Sequence, residues 1–448
     1  MINLTPEQQV IYDKVLTFVS SPIGGMCLIS GPAGVGKTFL VGRLINDLED
    51  EKIIVSAPTH KAVKNLKMMA MVENKKVQFA TIHSCLALRE KIDGYGKVSY
   101  VAEKGAPKKV DGMKILVLDE ASMLQDDLFY LLVPYAKFDG LKIIFVGDPV
   151  QIPPIGKLNS MPFSEDTQRK FNIEVHNLTT IIRQAEGHPI IAKSLEIRNR
   201  LSENNCIIDR TDALHESGNV YFMKRGDAFD KFIEYFDSPK FKENSDRARI
   251  ISWTNQRVDE YNDIIRSIIY KQHAALPKLV VGEKLIIESP VMEGKRVIFN
   301  NNDEVEVTDL EIKYEYIRES KNKIKYYFAT VEYETEFFKN ISHKIKIIHE
   351  DSEYKFNKLV NEAASKAKKM PQGTYNAQIA WVAYYKLKRY FNDVSYGYSS
   401  TIHKAQGSTY LNCFVDEADI CYNSNIVERN RILYTALTRG KHNIFILS

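Results

Sequence analysis

Gly31-Pro-Ala-Gly-Val-Gly-Lys37-Thr38 carries the pattern G-x-x-x-x-G-K-[ST], whose chemistry is the binding of phosphate. Backbone N–H groups of such a loop converge on one point, and a helix that begins there adds positive potential. Gly31, Pro32, Ala33, Gly34, Val35 and Gly36 form the cradle. Lys37 is the cation for the β- and γ-phosphates, and Thr38 offers a hydroxyl to Mg²⁺. The ligand this chemistry calls for is a nucleoside triphosphate.

Asp119 and Glu120 follow the apolar run Ile115-Leu-Val-Leu118. An Asp at a strand end can hold Mg²⁺ through water, and an adjacent Glu can orient an attacking water. The plainer alternative is a pair that caps a helix. Gly147-Asp-Pro-Val-Gln151 also follows an apolar run. The Gln151 amide can hydrogen-bond a γ-phosphate or its water; a Gly/Pro turn accounts for its neighbours but not for the amide. Gln8 in Leu4-Thr-Pro-Glu-Gln8 can read an adenine edge, or it can simply begin a helix.

These residues need a scaffold that brings them together. Met26–Ile29, Ile53–Ala57, Ile115–Leu118 and Ile143–Val146 are short apolar runs separated by helical stretches. They predict parallel strands buried on both faces, an α/β arrangement. In such sheets function gathers at the carboxyl ends of the strands, which is where Gly31, Pro58, Asp119 and Asp148 fall. The pattern returns at Arg249–Ser252, Cys413–Val415 and Ile444–Leu447, predicting a second α/β unit. Two stretches differ. Residues 89–112 carry Gly, Lys and two Tyr and predict a projecting β-hairpin; residues 283–394 alternate as short strands and then turn helical.

Length and composition fit a multidomain globular protein. The 448 residues are 44% apolar and 26% charged, with net charge +4; that length corresponds to about two to four domains. So small a positive charge neither demands nor excludes nucleic acid. No apolar run approaches the ~20 residues of a membrane span, and the N-terminus lacks the pattern of a signal peptide. Five scattered cysteines without a C-x-x-C pair predict reduced thiols in a cytoplasmic protein.

Further segments complete an ordered set: Ala57-Pro-Thr-His-Lys-Ala62, Thr81-Ile-His83, Ile182-Arg183, Thr401-Ile-His-Lys-Ala-Gln-Gly407 and Tyr434-Thr-Ala-Leu-Thr-Arg439. From Gln8 to Arg439 the set resembles the superfamily 1 DNA helicases. The Ile-His-Lys-Ala-Gln-Gly and Gln-Ile-Pro-Pro-Ile forms resemble its 5′→3′ branch, superfamily 1B, the RecD-, Pif1- and Dda-like proteins.

The resemblance implies two RecA-like domains, 1–88 with 113–178 and 179–282 with 395–448, and ATP with Mg²⁺ held in the cleft between them. Residues 89–112 match the pin, and 283–394 an SH3-like barrel with a helical projection that holds the pin. Arg183 and Arg439 match two arginines that stabilise charge on the γ-phosphate; a surface salt bridge is the plainer role for either. Gln406 matches the motif that couples nucleotide to strand. Pro58, Thr59, His60, Thr81, His83, Thr401 and His403 match positions facing single-stranded DNA, suited to phosphate contacts. Tyr100 falls at the wedge, with Tyr95 a competing aromatic, and Trp381 corresponds to one aromatic of the projection.

The function so implied is ATP-driven 5′→3′ translocation on single-stranded DNA and unwinding of forks. The implied setting is a monomer in the cytoplasm (the host cytosol for a phage-encoded chain), alongside replication or recombination proteins and away from membranes. A 3′→5′ or RNA-directed motor is the alternative within the fold, and a P-loop switch that does not translocate is the alternative outside it. A nuclease-helicase would need a further carboxylate cluster, which the sequence does not offer.

Overall fold

The computed structural model describes residues 3–69, 72–74, 76–102, 105–182, 187–271, 276–293, 296–317, 323–335 and 338–448. The chain forms two compact units. One comprises Met1–Leu86, Pro107–Ile269 and Tyr398–Ser448; the other comprises Ala87–Ala106 and Tyr270–Gly397.

The larger unit holds two six-stranded sheets. The first runs in the order Gln78–Thr81, Ile53–Ala57, Ile115–Leu118, Lys142–Gly147, Gly25–Ser30, Glu174–Asn177, with every pairing parallel. Its central strands are buried along their whole length because helices cover both faces. Ile29, Val55, Val117 and Ile144 pack there against Ile11, Val15, Leu40 and Leu44 of the helices Pro6–Ser20 and Lys37–Asp47. Parallel pairing sends all six carboxyl ends the same way: Ser30 lies opposite both Gly147 and Asn177, and Ser56 opposite Leu118.

The second sheet has the order Ser399–Thr401, Ala248–Ser252, Tyr410–Asp416, Gly440–Leu447, Gly218–Met223, Ala213–His215, parallel except for the last pair. Ile251, Val415, Ile444 and Ile446 form its core with Ile432, Leu433 and Tyr434 of the helix Ile426–Leu437. The apolar runs mark the central strands of both sheets. Gln78–Thr81 and Ser399–Thr401 were not expected from the sequence; they are short, partly polar strands at the sheet edges.

The smaller unit is antiparallel. Its sheet runs Phe338–Ile348, Lys323–Thr335, Glu304–Tyr316, Lys284–Ile287, Val394–Tyr396. Leu285, Val305, Val307, Ala329, Val331 and Ile345 line its core. The helices Glu350–Lys369 and Tyr375–Lys388 follow. The first places Glu350, Asp351 and Glu353 at its start and Lys366, Lys368 and Lys369 at its end, matching the helix dipole. Phe356 and Leu387 of the two helices pack with Tyr326 and Phe391.

Leu88–Ile92 and Val98–Ala102 pair as the expected hairpin, with Leu88 opposite Ala102 and Ile92 opposite Val98. Residues 107–112 fold with the larger unit instead.

Candidate active site

The phosphate loop begins where Gly25–Ser30 ends. Gly31 N–H donates to Gly147 O at 3.2 Å, and a Cβ on Gly31 would sit 2.5 Å from the Leu178 carbonyl oxygen. Gly34 and Gly36 have φ of 84° and 77°, left-handed values that turn successive amides to one side. Lys37 opens the following helix, and its Nζ donates to Gly31 O at 2.6 Å and Pro32 O at 2.8 Å. Burial pulls the Lys37 ammonium down, against the opposing pull of Asp148, Asp119 and Glu120.

Gln8 underpins this loop. Its Nε2 donates to Val35 O at 2.9 Å, and its Oε1 accepts from Thr5 N at 3.0 Å in a capping box. Both ends of the amide are engaged, giving Gln8 a buttressing role that its residue type alone does not reveal.

Asp119 and Glu120 stand at the end of Ile115–Leu118. Asp119 N–H donates to Ser56 O at 2.9 Å, and Asp119 Oδ1 accepts from Glu120 N at 2.8 Å. Glu120 adopts φ 51° and ψ 39°, a left-handed conformation uncommon outside glycine and concentrated at functional sites. Burial, and then the Glu120 charge, push the Asp119 carboxyl up to about 7. Lys37 and Arg439 only partly offset that push, and oxygen donors suit Mg²⁺. Asp119 and Thr38 therefore fit the expected ion. Gln151 Oε1 and Ser122 Oγ are buried with no hydrogen-bond partner among the described residues, so both are available to a water or a phosphate oxygen.

The second α/β half supplies the opposite wall. Arg439 is buried, anchored by its donation to Thr435 O at 3.2 Å and Ser408 O at 3.3 Å, with Nη1 3.9 Å from Glu120 Oε1. Gln406 Nε2 donates to Ile152 O at 2.9 Å, next to Gln151. Arg183 lies outside the described residues.

Two cleft residues had no role assigned from sequence. The Tyr434 hydroxyl donates to Asp148 Oδ2 and accepts from Ala33 N, in the phosphate loop, at 3.4 Å. Arg198, at the end of the helix Pro189–Arg198, lies 2.5 Å from Asp148 Oδ1 and 3.3 Å from the Tyr434 hydroxyl. Tyr434 was visible as the first residue of Tyr-Thr-Ala-Leu-Thr-Arg; Arg198 has no local signal.

The residues expected to face single-stranded DNA include two in matching places. Thr81 ends one edge strand and leads into the turn of helix Ile82–Cys85; Thr401 ends the other and leads into Ile402–Ala405. Burial holds both His83 and His403 below the usual histidine value, so both are neutral near pH 7. Pro58 and Thr59 precede the helix His60–Met69. Asn65 Nδ2 donates to Gly407 O at 2.9 Å. Gly407 has φ 74°, and a Cβ there would sit 2.8 Å from Ala62 Cβ and 3.4 Å from Thr59 Oγ1.

In the smaller unit the hairpin is clamped to the helical pair. Gly373 N–H donates to Gly94 O at 3.0 Å, Gln378 Nε2 to Ile92 O at 2.8 Å, and the Tyr385 hydroxyl to Gly96 O at 3.0 Å. Arg389 pairs with Glu90 at 2.7 Å. Trp381 lies so close to Gly96 that an added Cβ would meet its ring at 2.6 Å. The indole is only 8% exposed. In this structure the indole packs against the hairpin turn. Tyr100 and Tyr95 are 51% and 69% exposed.

Three families match successive stretches of the chain: an AAA domain over residues 3–224, a Dda helicase SH3 domain over 277–395 and a UvrD-like helicase C-terminal domain over 396–447. The chain is 27% identical over 435 residues to the ATP-dependent DNA helicase Dda of Enterobacteria phage T4, covering 93% of each. It is 26% identical over 499 residues to an uncharacterized protein of Acanthamoeba polyphaga mimivirus, covering 98% of each. The PIF1 helicase of Xenopus laevis matches 41% of this chain at 25% identity, over 28% of its own length. The crystal structure of the Pif1 helicase from Candida albicans superposes with a TM-score of 0.49 at 19% identity, covering 100% of this chain and 95% of that one.

Proposed function

The chain belongs to the Pif1/Dda-like superfamily 1B helicases, and we propose that it hydrolyses ATP to move 5′→3′ along single-stranded DNA and open the duplex ahead. The observation that carries this reading is the facing of two walls. Lys37, Asp119, Glu120 and Gln151 come from one α/β half, and Arg439 and Gln406 from the other.

Each residue then has a task. Amides of residues 32–36 cradle the phosphates, and Lys37 exchanges its loop carbonyls for phosphate oxygens. Thr38 and Asp119 would hold Mg²⁺, which would supply charge neutralisation at the phosphates. Glu120 orients the attacking water, with the vacant acceptor of Gln151 as its second contact. Arg439 stabilises charge building on the γ-phosphate; arginines in this role elsewhere are worth about 10³–10⁵ in rate.

Coupling to DNA runs through short links. Gln406 touches Ile152 beside Gln151 and lies three positions after His403. A change at the γ-phosphate is thereby felt where Thr401 and His403 meet a DNA phosphate, while Thr59, Thr81 and His83 hold the strand on the other half. Alternating grip moves the strand, and the hairpin bearing Tyr100 divides the fork. The scene of action is a fork in the cytoplasm, met by a monomer working beside replication or recombination proteins.

The test is ATPase and unwinding on substrates with a single tail. Strong stimulation by single-stranded DNA and unwinding from a 5′ tail are expected. Unwinding only from a 3′ tail would overturn the polarity, and an ATPase indifferent to DNA would leave a P-loop switch in its place.

A further inference from the structure

We propose that Arg198 is a positioning residue of the ATP site. Delivered by the second α/β half, it engages Asp148 and thereby leaves Lys37 free for phosphate only when the cleft is closed. This rests on the reading of the cleft as an ATPase site.

Three observations lead to it. Gly147 and Ser30 lie opposite each other in neighbouring strands, so Asp148 and the phosphate loop leave the sheet side by side. Asp148 is 1% exposed. A buried carboxylate beside the phosphate site repels the ligand and attracts the loop's own lysine; among the charges acting on Lys37, Asp148 stands first.

Among the described residues the hydrogen bonds and ion pair of Asp148 point away from Lys37. Oδ1 takes Arg198 at 2.5 Å and the Val150 N–H at 3.0 Å, and Oδ2 takes the Tyr434 hydroxyl. Arg198 and Tyr434 both belong to the second half; Asp148 directly follows the strand Lys142–Gly147 of the first, and Val150 beyond it packs against the second half's core. Lys37 correspondingly bonds loop carbonyls rather than Asp148. Neutral carbonyls are weaker competitors for an ammonium than a carboxylate is, so Lys37 remains available to phosphate.

Opening the cleft removes Arg198 and Tyr434 together. Asp148 is then left without those partners beside Lys37, and the triphosphate loses part of its binding. Affinity for nucleotide is thus tied to closure through one carboxylate. Tyr434 reinforces the tie, because its hydroxyl also accepts from Ala33 N in the loop.

The experiment compares the wild-type chain with Arg198→Gln, Asp148→Asn and the double variant, measuring kcat and KM for DNA-stimulated ATPase and the melting temperature of each. Arg198→Gln should raise KM for ATP about tenfold or more, since the unpaired Asp148 carboxylate then competes with phosphate for the Lys37 ammonium. Adding Asp148→Asn should restore KM to within about threefold, because Asn keeps an oxygen for Val150 and carries no charge. Asp148→Asn alone should leave KM near wild type, which keeps the idea testable if Arg198→Gln fails to fold. An unchanged KM in Arg198→Gln, or a double variant as weak as the single, would overturn the proposal. So would a large KM increase in Asp148→Asn alone. A wild-type chain without ATPase activity would instead remove the reading on which it rests.

Discussion

Thr81 and Thr401 hold the same backbone conformation, φ −69° with ψ 155° and φ −69° with ψ 152°, at the ends of the edge strands of two different sheets. Each is followed by Ile and His on a single turn of helix. The two halves thereby present the same Thr-x-His arrangement, which suits the proposed grip on one strand from two domains.

That pairing sets a pH dependence. Burial keeps His83 and His403 below the ordinary value, and a DNA phosphate beside either ring favours the charged form. Binding must then take up protons, so affinity for single-stranded DNA should rise as pH falls from about 8 to 5.5. A double His83→Gln, His403→Gln variant should flatten that slope. Titration of a labelled oligonucleotide at several pH values checks it, at fixed salt because counterion release also moves the affinity.

Lys37→Ala should abolish ATPase while leaving single-strand binding largely intact. The residues proposed to face the strand belong to other loops, and Lys37 donates to carbonyls of its own loop. Turnover near wild type would remove the P-loop assignment.

Asp119 gives a stability prediction whose sign is fixed. Its carboxyl is raised to about 7 in the fold, against ~3.9 unfolded, so the folded state holds its proton more tightly. The associated stability is complete below about pH 4 and is lost as pH rises through 7. Asp119→Asn should therefore melt several degrees above wild type at pH 8 without added metal. The gap should close toward pH 4. Mg²⁺ with nucleotide should raise the wild-type melting temperature and do less for the variant.

The hairpin clamp separates unwinding from movement. Trp381 is packed on Gly96, and Trp381→Ala removes a buried side chain at a cost of about 3–5 kcal/mol. That loss falls on the hairpin contact. Unwinding should drop several-fold in Trp381→Ala, while single-strand-stimulated ATPase stays near wild type. Tyr100→Ala should show the same split, since stacking of a base on an aromatic ring is worth ~1–3 kcal/mol. Equal loss of both activities in either variant would detach the hairpin from strand separation.

What was legible in the sequence follows from locality. Ile53–Ala57 and Ile115–Leu118 announce themselves because strands covered on both faces are apolar at every position. Gln78–Thr81 and Ser399–Thr401 do not, because edge strands of three or four residues carry few apolar side chains. The phosphate loop is contiguous and was complete on inspection. Arg198 could not be read, since its partner Asp148 lies 50 positions away and no repeat or motif links them. The packing of Trp381 was hidden for a related reason. A lone indole on a helix looks the same in sequence whether or not it meets a glycine of the same chain, and its contact with Gly96 appears only in the fold.

Gly407 has a mechanical consequence. A Cβ at Gly407 would lie 2.8 Å from Ala62 Cβ and 3.4 Å from Thr59 Oγ1. The approach there sets one hydrogen atom against one methyl group, with no long side chain to give way. Gly407→Ala would push the two halves apart at this point and strain a backbone held at φ 74°.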